Sequence, residues 1–351
     1  MTDSPSLDPE ASPIRRVRLS QDPDRQGQTA SRGSFGEEEE DLTSGSVLVT
    51  GGGGFIGKHL VTELLREGFE VEALDKIPRP KILPRSRSLM YYQGDVNGTN
   101  SRLRSKPGTK VVHLAANTSV QESVRRPLLT VRANIEATCR MLDFARKIDS
   151  ERFVFASTAA IYGDKKSSCR ETDIPAPASP YASSKLASEY YCRVYASLYD
   201  IPTVILRYFN VYGPGQSDRY AGVITSFVRE AIHGKPPIIF GDGRQTRDFI
   251  FIRDVIGATL AALTQRVPGG TILNIGTGRA TSITSLAQGV LQLFGLKKLR
   301  PIHAPPRVGE VRHSQANISA ARMKIRFRPK YRLSEGLPPT IQWLRFLASS
   351  F

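Results

Sequence analysis

Cysteine is scarce: 351 residues contain three, Cys139, Cys169 and Cys192. That excludes a disulfide scaffold, and their spacing forms no paired metal-ligand motif. The five histidines do not cluster with cysteines or acids either, so no metal is expected. No apolar run reaches the ~18 residues of a membrane span, which argues against membrane insertion. The opening MTDSPSLDPE lacks the apolar core of a secretory signal, so the expected location is cytoplasmic. Long basic runs, zinc-finger spacings and aromatic–basic interleaving are missing, and no nucleic-acid partner is expected. No internal repeat is visible.

What is present is an uneven positive charge. The formal net charge is +16, yet residues 1–45 hold ten Asp/Glu against five Arg. That first segment is rich in Ser, Pro, Asp and Gln, carries the acidic run Glu37–Asp41, and has too little apolar material to offset the entropy of ordering its backbone. It reads as a disordered acidic tail. The body is the more basic part, which suits an anionic small-molecule substrate.

From residue 46 the pattern changes. SVLVT (46–50), VEALD (71–75), KVVHLAA (110–116), RFVFAST (152–158) and TVILRYF (203–209) read as apolar strands. Helical stretches lie between them, over about 127–147 and 181–199. Strands alternating with helices of this length imply right-handed crossovers and a parallel sheet covered on both faces. The fold class is therefore α/β: a doubly wound, Rossmann-type parallel sheet over 46–210. Residues 211–351 are richer in Gly and Pro, with short helices near 222–232, 252–265 and 281–294. They read as a smaller, mainly substrate-binding domain, with segments able to cross back.

The turn after the first strand is Thr50-Gly51-Gly52-Gly53-Gly54-Phe55-Ile56-Gly57. Glycines at 51, 54 and 57 permit a tight turn, close approach of a pyrophosphate and helix-on-strand packing. The following helix then offers unpaired N–H groups to phosphate oxygens. Asp75 ends the second strand 18 residues after Gly57, where a carboxylate accepts both adenosine-ribose hydroxyls and repels a 2′-phosphate. That favours NAD, and the adjacent Lys76 softens the preference without reversing it. Asp95 in YYQGDV is placed to receive the adenine amino group. His113, within a buried strand, reads as a core or cleft-wall residue.

RFVFA leads into Ser157-Thr158-Ala159-Ala160, a hydroxyl at a strand's carboxyl end, where doubly wound sheets place ligands. Tyr181-Ala-Ser-Ser-Lys185 opens a helical segment, and residues at i and i+4 share a face. The chemistry this pattern suits is a tyrosine base assisted by a lysine. A nearby ammonium and a nicotinamide cation would bring the phenol down towards working pH, with Thr158 contacting the same substrate oxygen.

The ordered segments TGGGGFIG, GDV, HLAA, FASTAAIYG, YASSK, LRYFNVYGPGQ, FGDGRQTRDFIFIRDV, NIGTG and PPRVGEVRHSQANISAA make the chain resemble the extended short-chain dehydrogenase/reductases. Within them it is similar to the NAD-dependent nucleotide-sugar epimerases and dehydratases, over about 46–345. The resemblance implies that the glycines with Phe55 and Ile56 hold the cofactor pyrophosphate. It assigns Asp75 to the ribose, Asp95 and Val96 to the adenine, and Leu114, Ala115, Ala116 and Asn134 to the cofactor-side wall. Thr158, Tyr181 and Lys185 match the family triad, and Tyr208 a residue near the nicotinamide. Asn210, Phe240, Arg247, Arg307 and Glu310 match contacts to the sugar nucleotide, with the two arginines on its diphosphate.

Ala159-Ala160 stands where the family's 4,6-dehydratases carry an Asp-Glu pair. The implied activity is therefore 4-epimerisation of a UDP-sugar: UDP-glucose with UDP-galactose, and, because Ser314 is small where many relatives carry tyrosine, UDP-GlcNAc with UDP-GalNAc. An atypical dehydratase or reductase and a non-enzymatic nucleotide binder are the alternatives. The resemblance also implies a homodimer through helices near 123–147 and 181–199, where Leu142, Phe144, Leu186, Tyr190 and Leu198 supply apolar positions.

Overall fold

The computed structural model describes residues 45–98, 102–216, 222–306 and 311–349. The expected acidic tail lies outside them apart from Gly45. The strands are β1 (Ser46–Thr50), β2 (Glu70–Asp75), β3 (Leu89–Gln93), β4 (Lys110–His113), β5 (Phe153–Thr158), β6 (Thr203–Tyr208), β7 (Asn210–Tyr212), β8 (Ile238–Phe240), β9 (Thr246–Arg247), β10 (Phe249–Phe251), β11 (Thr271–Ile275), β12 (Thr281–Ser282) and β13 (Ile302–Ala304). Seven of them form one sheet in the order β11-β6-β5-β4-β1-β2-β3, every pairing parallel. The strand order reverses beside β1, which opens the crevice where doubly wound sheets bind ligands. Residues beyond 210 contribute β11 to this sheet, paired with β6 from Thr271–Val204 to Ile275–Tyr208.

Helices α1 (Phe55–Arg66), α2 (Val120–Arg125), α3 (Pro127–Thr130), α4 (Ala137–Lys147), α5 (Pro180–Tyr199), α6 (Val223–Ile232) and α7 (Ile252–Thr264) follow in order, then α8 (Ile283–Leu293), α9 (Ser319–Ile325) and α10 (Leu333–Ser349). The period-2 alternation of the strands divides the core. Val47, Val49, Val154, Val204 and Leu206 pack with Leu60 and Leu64 of α1 and Val255 and Ala262 of α7. Leu48, Val111, Phe153, Phe155 and Ile205 point the other way, onto Met141 and Leu142 of α4 and Cys192 of α5. Each such fully buried side chain contributes about 1.5–3 kcal/mol.

The helical stretch expected over 127–147 is not one regular α-helix: a wide π-type turn, Val131–Glu136, joins α3 to α4. Hydroxyls from Thr138 (2.6 Å) and Ser188 (3.2 Å) donate to the Asn134 carbonyl. Side chains inserted into the backbone ladder in this way are a standard cause of such a turn. By contrast α5 is continuous. Ser179 caps it by accepting the Ala182 N–H at 3.2 Å, Pro180 supplies the first turn, and Asp200 ends it in the left-handed region at φ 53°.

Candidate active site

A cleft of about 1300 Å³ opens at the carboxyl ends of β1, β2, β4, β5 and β6. Its lining includes Gly51, Gly54, Phe55, Ile56 and Gly57 from the glycine turn, Asp75 and Lys76 after β2, and Asp95 and Val96 after β3. Leu114, Ala115 and Ala116 follow from the end of β4, with Thr158, Tyr181, Lys185 and Tyr208 at the chemical end. The turn fits a dinucleotide pyrophosphate. No side chain caps the N-terminus of α1 at Gly54, which leaves its first N–H groups for an anion. Gly51 sits at φ +73° and a Cβ there would come within 2.8 Å of the Ala115 nitrogen; a Cβ on Gly57 would collide with the Gly51 carbonyl.

Asp75 is fixed by the backbone, its carboxylate accepting the Gly53 N–H at 3.0 Å and the Ile77 N–H at 3.2 Å. Lys76 is drawn away to Asp95, 3.0 Å distant. Burial pushes the Asp95 carboxyl up, but the Asn97 N–H and the Lys76 ammonium outweigh it and hold the group below its usual range. Lys76 therefore has a partner other than a cofactor 2′-phosphate, which favours NAD.

Two consecutive residues of β5, Ala156 and Ser157, bond side chains on successive turns of α5. The Lys185 ammonium donates to the Ala156 carbonyl at 2.8 Å and lies 4.7 Å from the centre of the Phe155 ring. The Ser157 hydroxyl donates to the Glu189 carboxylate. The Thr158 hydroxyl accepts the Ala160 N–H at 3.2 Å and lies close to the Tyr181 phenol. Burial lowers Lys185 to about 8, with Cys192 and Glu189 acting against it. Burial raises Tyr181 above its ordinary value, with the Thr158 contact pulling the other way. The expected lowering of the phenol is thus not reached by the protein's groups alone. Tyr208 bonds Thr259 through its hydroxyl at 2.8 Å.

Asn134, expected on the cofactor-side wall, stands behind it. Its side chain accepts the Asn117 N–H at 2.7 Å and donates to Ser184 at 2.8 Å, fixing the wall rather than forming it. His113 is buried between Thr50 (2.6 Å) and Thr138 (3.2 Å), and burial, with Lys185 nearby, lowers it to about 3.

The substrate-side residues are more scattered. Asn210 (β7), Phe240 (β8), Arg247 (β9) and Ser314 do not line this cleft, whereas Arg307 and Glu310 lie outside the described residues. Buried Asp248 organises their surroundings, accepting from Thr277 N–H (2.8 Å), Gly278 N–H (2.9 Å) and Ala316 N–H (3.1 Å). Sequence reasoning missed Lys58 and His59, which donate to the Gly215 carbonyl at 2.7 Å and the Pro214 carbonyl at 2.8 Å. They tie the loop bearing Gly215 and Gln216, both cleft residues, to the first turns of α1. It also missed the partners of Arg207, a charge conspicuous inside an apolar strand.

A doubly wound sheet with a glycine turn, an acid ending β2 and a Thr-Tyr-Lys set in one cleft defines a dinucleotide-dependent enzyme. A sequence model of the NAD dependent epimerase/dehydratase family matches residues 47–276, and the chain belongs to that family of NAD-dependent enzymes. It is 34% identical over 309 residues to a UDP-glucose 4-epimerase of Mycolicibacterium smegmatis, covering 85% of this chain and 98% of that one. The structure of a UDP-glucose 4-epimerase from Thermotoga maritima with UDP-glucose is 36% identical with a TM-score of 0.79, over 86% of this chain and 99% of that one. MoeE5 in complex with UDP-glucuronic acid and NAD is also 36% identical, with a TM-score of 0.78 and the same coverage.

Proposed function

We propose that the protein is a cytosolic UDP-hexose 4-epimerase that interconverts UDP-glucose and UDP-galactose, and UDP-GlcNAc and UDP-GalNAc. The observation that carries the reading is that Thr158, Tyr181 and Lys185 line one cleft, with Ala159 and Ala160 after Thr158 bringing no second acid–base pair. Tyr181 removes the proton from the sugar 4-OH, assisted by Thr158. When bound, NAD would supply a positive ring that favours the phenolate and a hydride acceptor for C4. Asp75 holds the adenosine ribose, and Arg247 and Arg307 hold the substrate diphosphate while the 4-keto sugar turns over. Anchoring that end spares the enzyme from recapturing the intermediate.

A homodimer is part of this proposal. Val120, Val124, Leu128 and Val131 expose apolar side chains beside Tyr190, Val194 and Leu198 of α5, with Leu128 82% exposed and Leu198 66%. The helices α2 and α3 pack against α5. Exposed apolar side chains gathered on adjacent helices of this kind mark an interface. Of the positions expected there, Leu142 is instead inside the monomer core, and Phe144 and Leu186 pack against buried clusters. Sedimentation showing a monomer at micromolar concentration overturns the dimer. Among the described residues no helix is long and apolar enough to cross a membrane. The three cysteines are free, in keeping with a cytosolic protein.

Incubating the purified protein with a panel of nucleotide sugars and separating the products by chromatography and mass tests the activity. An epimerase conserves mass and cofactor; a product of changed mass points to dehydration, and net oxidation of reduced cofactor to a reductase.

A further inference from the structure

Behind the catalytic groups lies a buried ion pair that their chemistry does not use. Glu189 and Arg207 are each about 2% exposed. The guanidinium grips both carboxylate oxygens, Nε at 3.0 and 3.2 Å and Nη2 at 2.7 Å. Its remaining nitrogen donates to the Tyr162 phenol at 2.8 Å and the Glu171 carbonyl at 3.2 Å. Tyr162 in turn donates to Asn274 at 2.7 Å. Dehydrating two charges is costly, and a well-packed apolar pair is often as stable or more so. A pair kept in such a place calls for a role beyond stability.

Its place in the chain supplies one. Glu189 continues the i, i+4, i+8 row of Tyr181 and Lys185 on α5. Arg207 immediately precedes Tyr208 on β6, and Ser157, the carboxylate's third partner, immediately precedes Thr158 on β5. The elements that carry Thr158, Tyr181, Lys185 and Tyr208 are therefore each tied to the same pair within one or two turns of those groups.

We infer that Glu189 and Arg207 are positioning residues for the 4-epimerase reaction: the pair locks β5, α5 and β6 together so that the Thr158 hydroxyl and the Tyr181 phenol meet one substrate oxygen, with the Lys185 ammonium held beside the phenol. The inference rests on the reading of Tyr181 as base. A misplacement of about 1 Å in such a constellation costs on the order of 100-fold in rate.

The pair also sets the local charge. Around Lys185 stand Tyr181, Glu189 and Cys192 on its own helix and His113 on β4, with Arg207 on β6 held against Glu189; Cys139 on α4 adds to the surroundings of Cys192. Burial keeps His113 and Cys192 neutral near neutral pH, leaving Glu189 as the anion that supports the ammonium.

The test uses full-length protein carrying its own NAD, with Glu189→Gln, Glu189→Asp and Ser157→Ala beside Tyr181→Phe. Kinetics on UDP-glucose are normalised to NAD-loaded enzyme, and thermal unfolding is followed in parallel. Glu189→Gln is expected to lower kcat about 10- to 100-fold with KM and NAD content near wild type, because ground-state binding is untouched. The alkaline limb of its kcat profile should move to lower pH as the ammonium loses its anion. Glu189→Asp keeps the charge and should lower kcat with the limb in place. Ser157→Ala should lower kcat by about threefold, the cost of one hydrogen bond. If the Glu189 variants unfold more easily yet keep wild-type kcat and pH profile per loaded enzyme, the pair is merely structural and the inference falls. Should Glu189→Gln not accumulate as folded protein, unchanged kcat in both Glu189→Asp and Ser157→Ala overturns it equally. Retention of turnover by Tyr181→Phe instead would overturn the base assignment itself.

Discussion

The two ends of the site are built by different means. The cofactor end rests on the carboxyl edge of a seven-stranded parallel sheet, where the glycine turn and the strand ends line the cleft. The substrate-side candidates sit on strands of two or three residues, Asn210 on β7, Phe240 on β8 and Arg247 on β9, held by local pairings and by Asp248. A sheet edge is fixed by every strand beside it, so one side-chain change cannot move it far. Short paired segments depend on a few hydrogen bonds, and their side chains can vary without disturbing the fold. On the proposed reading, the cofactor end is fixed by the sheet, while the candidate substrate contacts sit on segments that can change cheaply.

Tyr181→Phe belongs to both ends and has the largest expected effect. It should lower kcat about 10²- to 10⁴-fold while NAD and UDP-sugar binding stay near wild type, measured by single-turnover kinetics and calorimetry. Asp75→Ala acts on the cofactor end alone. Losing charged hydrogen bonds of about 1.5–3 kcal/mol should weaken NAD binding roughly 10- to 100-fold, with UDP affinity unchanged. A preparation that releases only NADP(H) on denaturation would contradict the role given to Asp75. Ser314→Tyr is its counterpart at the substrate end. Overpacking by about 1–3 kcal/mol should cut turnover of the acetamido sugars about 10- to 100-fold and spare UDP-glucose. Equal loss on both substrates, or none, removes Ser314 from the specificity argument.

The remaining effect is one of stability, away from the reaction. Burial holds His113 at about 3 in the folded protein, below its usual 6.5. Its contribution is therefore full above 6.5 and is lost as pH falls through about 3. In that window the unfolded chain binds the proton that the folded one refuses. Relative to wild type, His113→Asn should be less sensitive to acid, the gap in unfolding free energy narrowing by about 1.4 kcal/mol per pH unit. Parallel denaturant titrations between pH 7 and 4 measure it, and a constant gap would show that His113 does not titrate there.

Much of the cofactor end was legible in the sequence because it depends on local pattern. The glycine turn, Asp75 at the end of β2 and the i, i+4 pair Tyr181 and Lys185 need only short-range spacing, and all line the observed cleft. Asn134 is buried, its side chain bonded to Asn117 and to Ser184, the latter brought close by tertiary packing that short-range spacing does not show. The π-type turn around it was hidden for the same reason. Arg207 gave a usable signal, a charge within TVILRYF, and Glu189 another, four residues beyond Lys185. Their pairing across 18 residues of sequence follows only from the packing of α5 on the sheet.

The late strand β11 has a consequence for the order in which the protein is made. It forms one edge of the main sheet and pairs only with β6, more than sixty residues earlier. A nascent chain that has emerged only as far as residue 210 has β6 as an open edge, with its Val204 and Leu206 lacking the cover of α7 and the contact of Leu273 and Ile275. Exposed parallel edges of that kind invite mispairing, and domains generally fold as units once their elements are available. The nucleotide-binding half therefore completes its fold only after residue 275 has been synthesised, and a fragment ended at 210 should be caught by chaperones or aggregate, where one ended after β11 has its sheet whole.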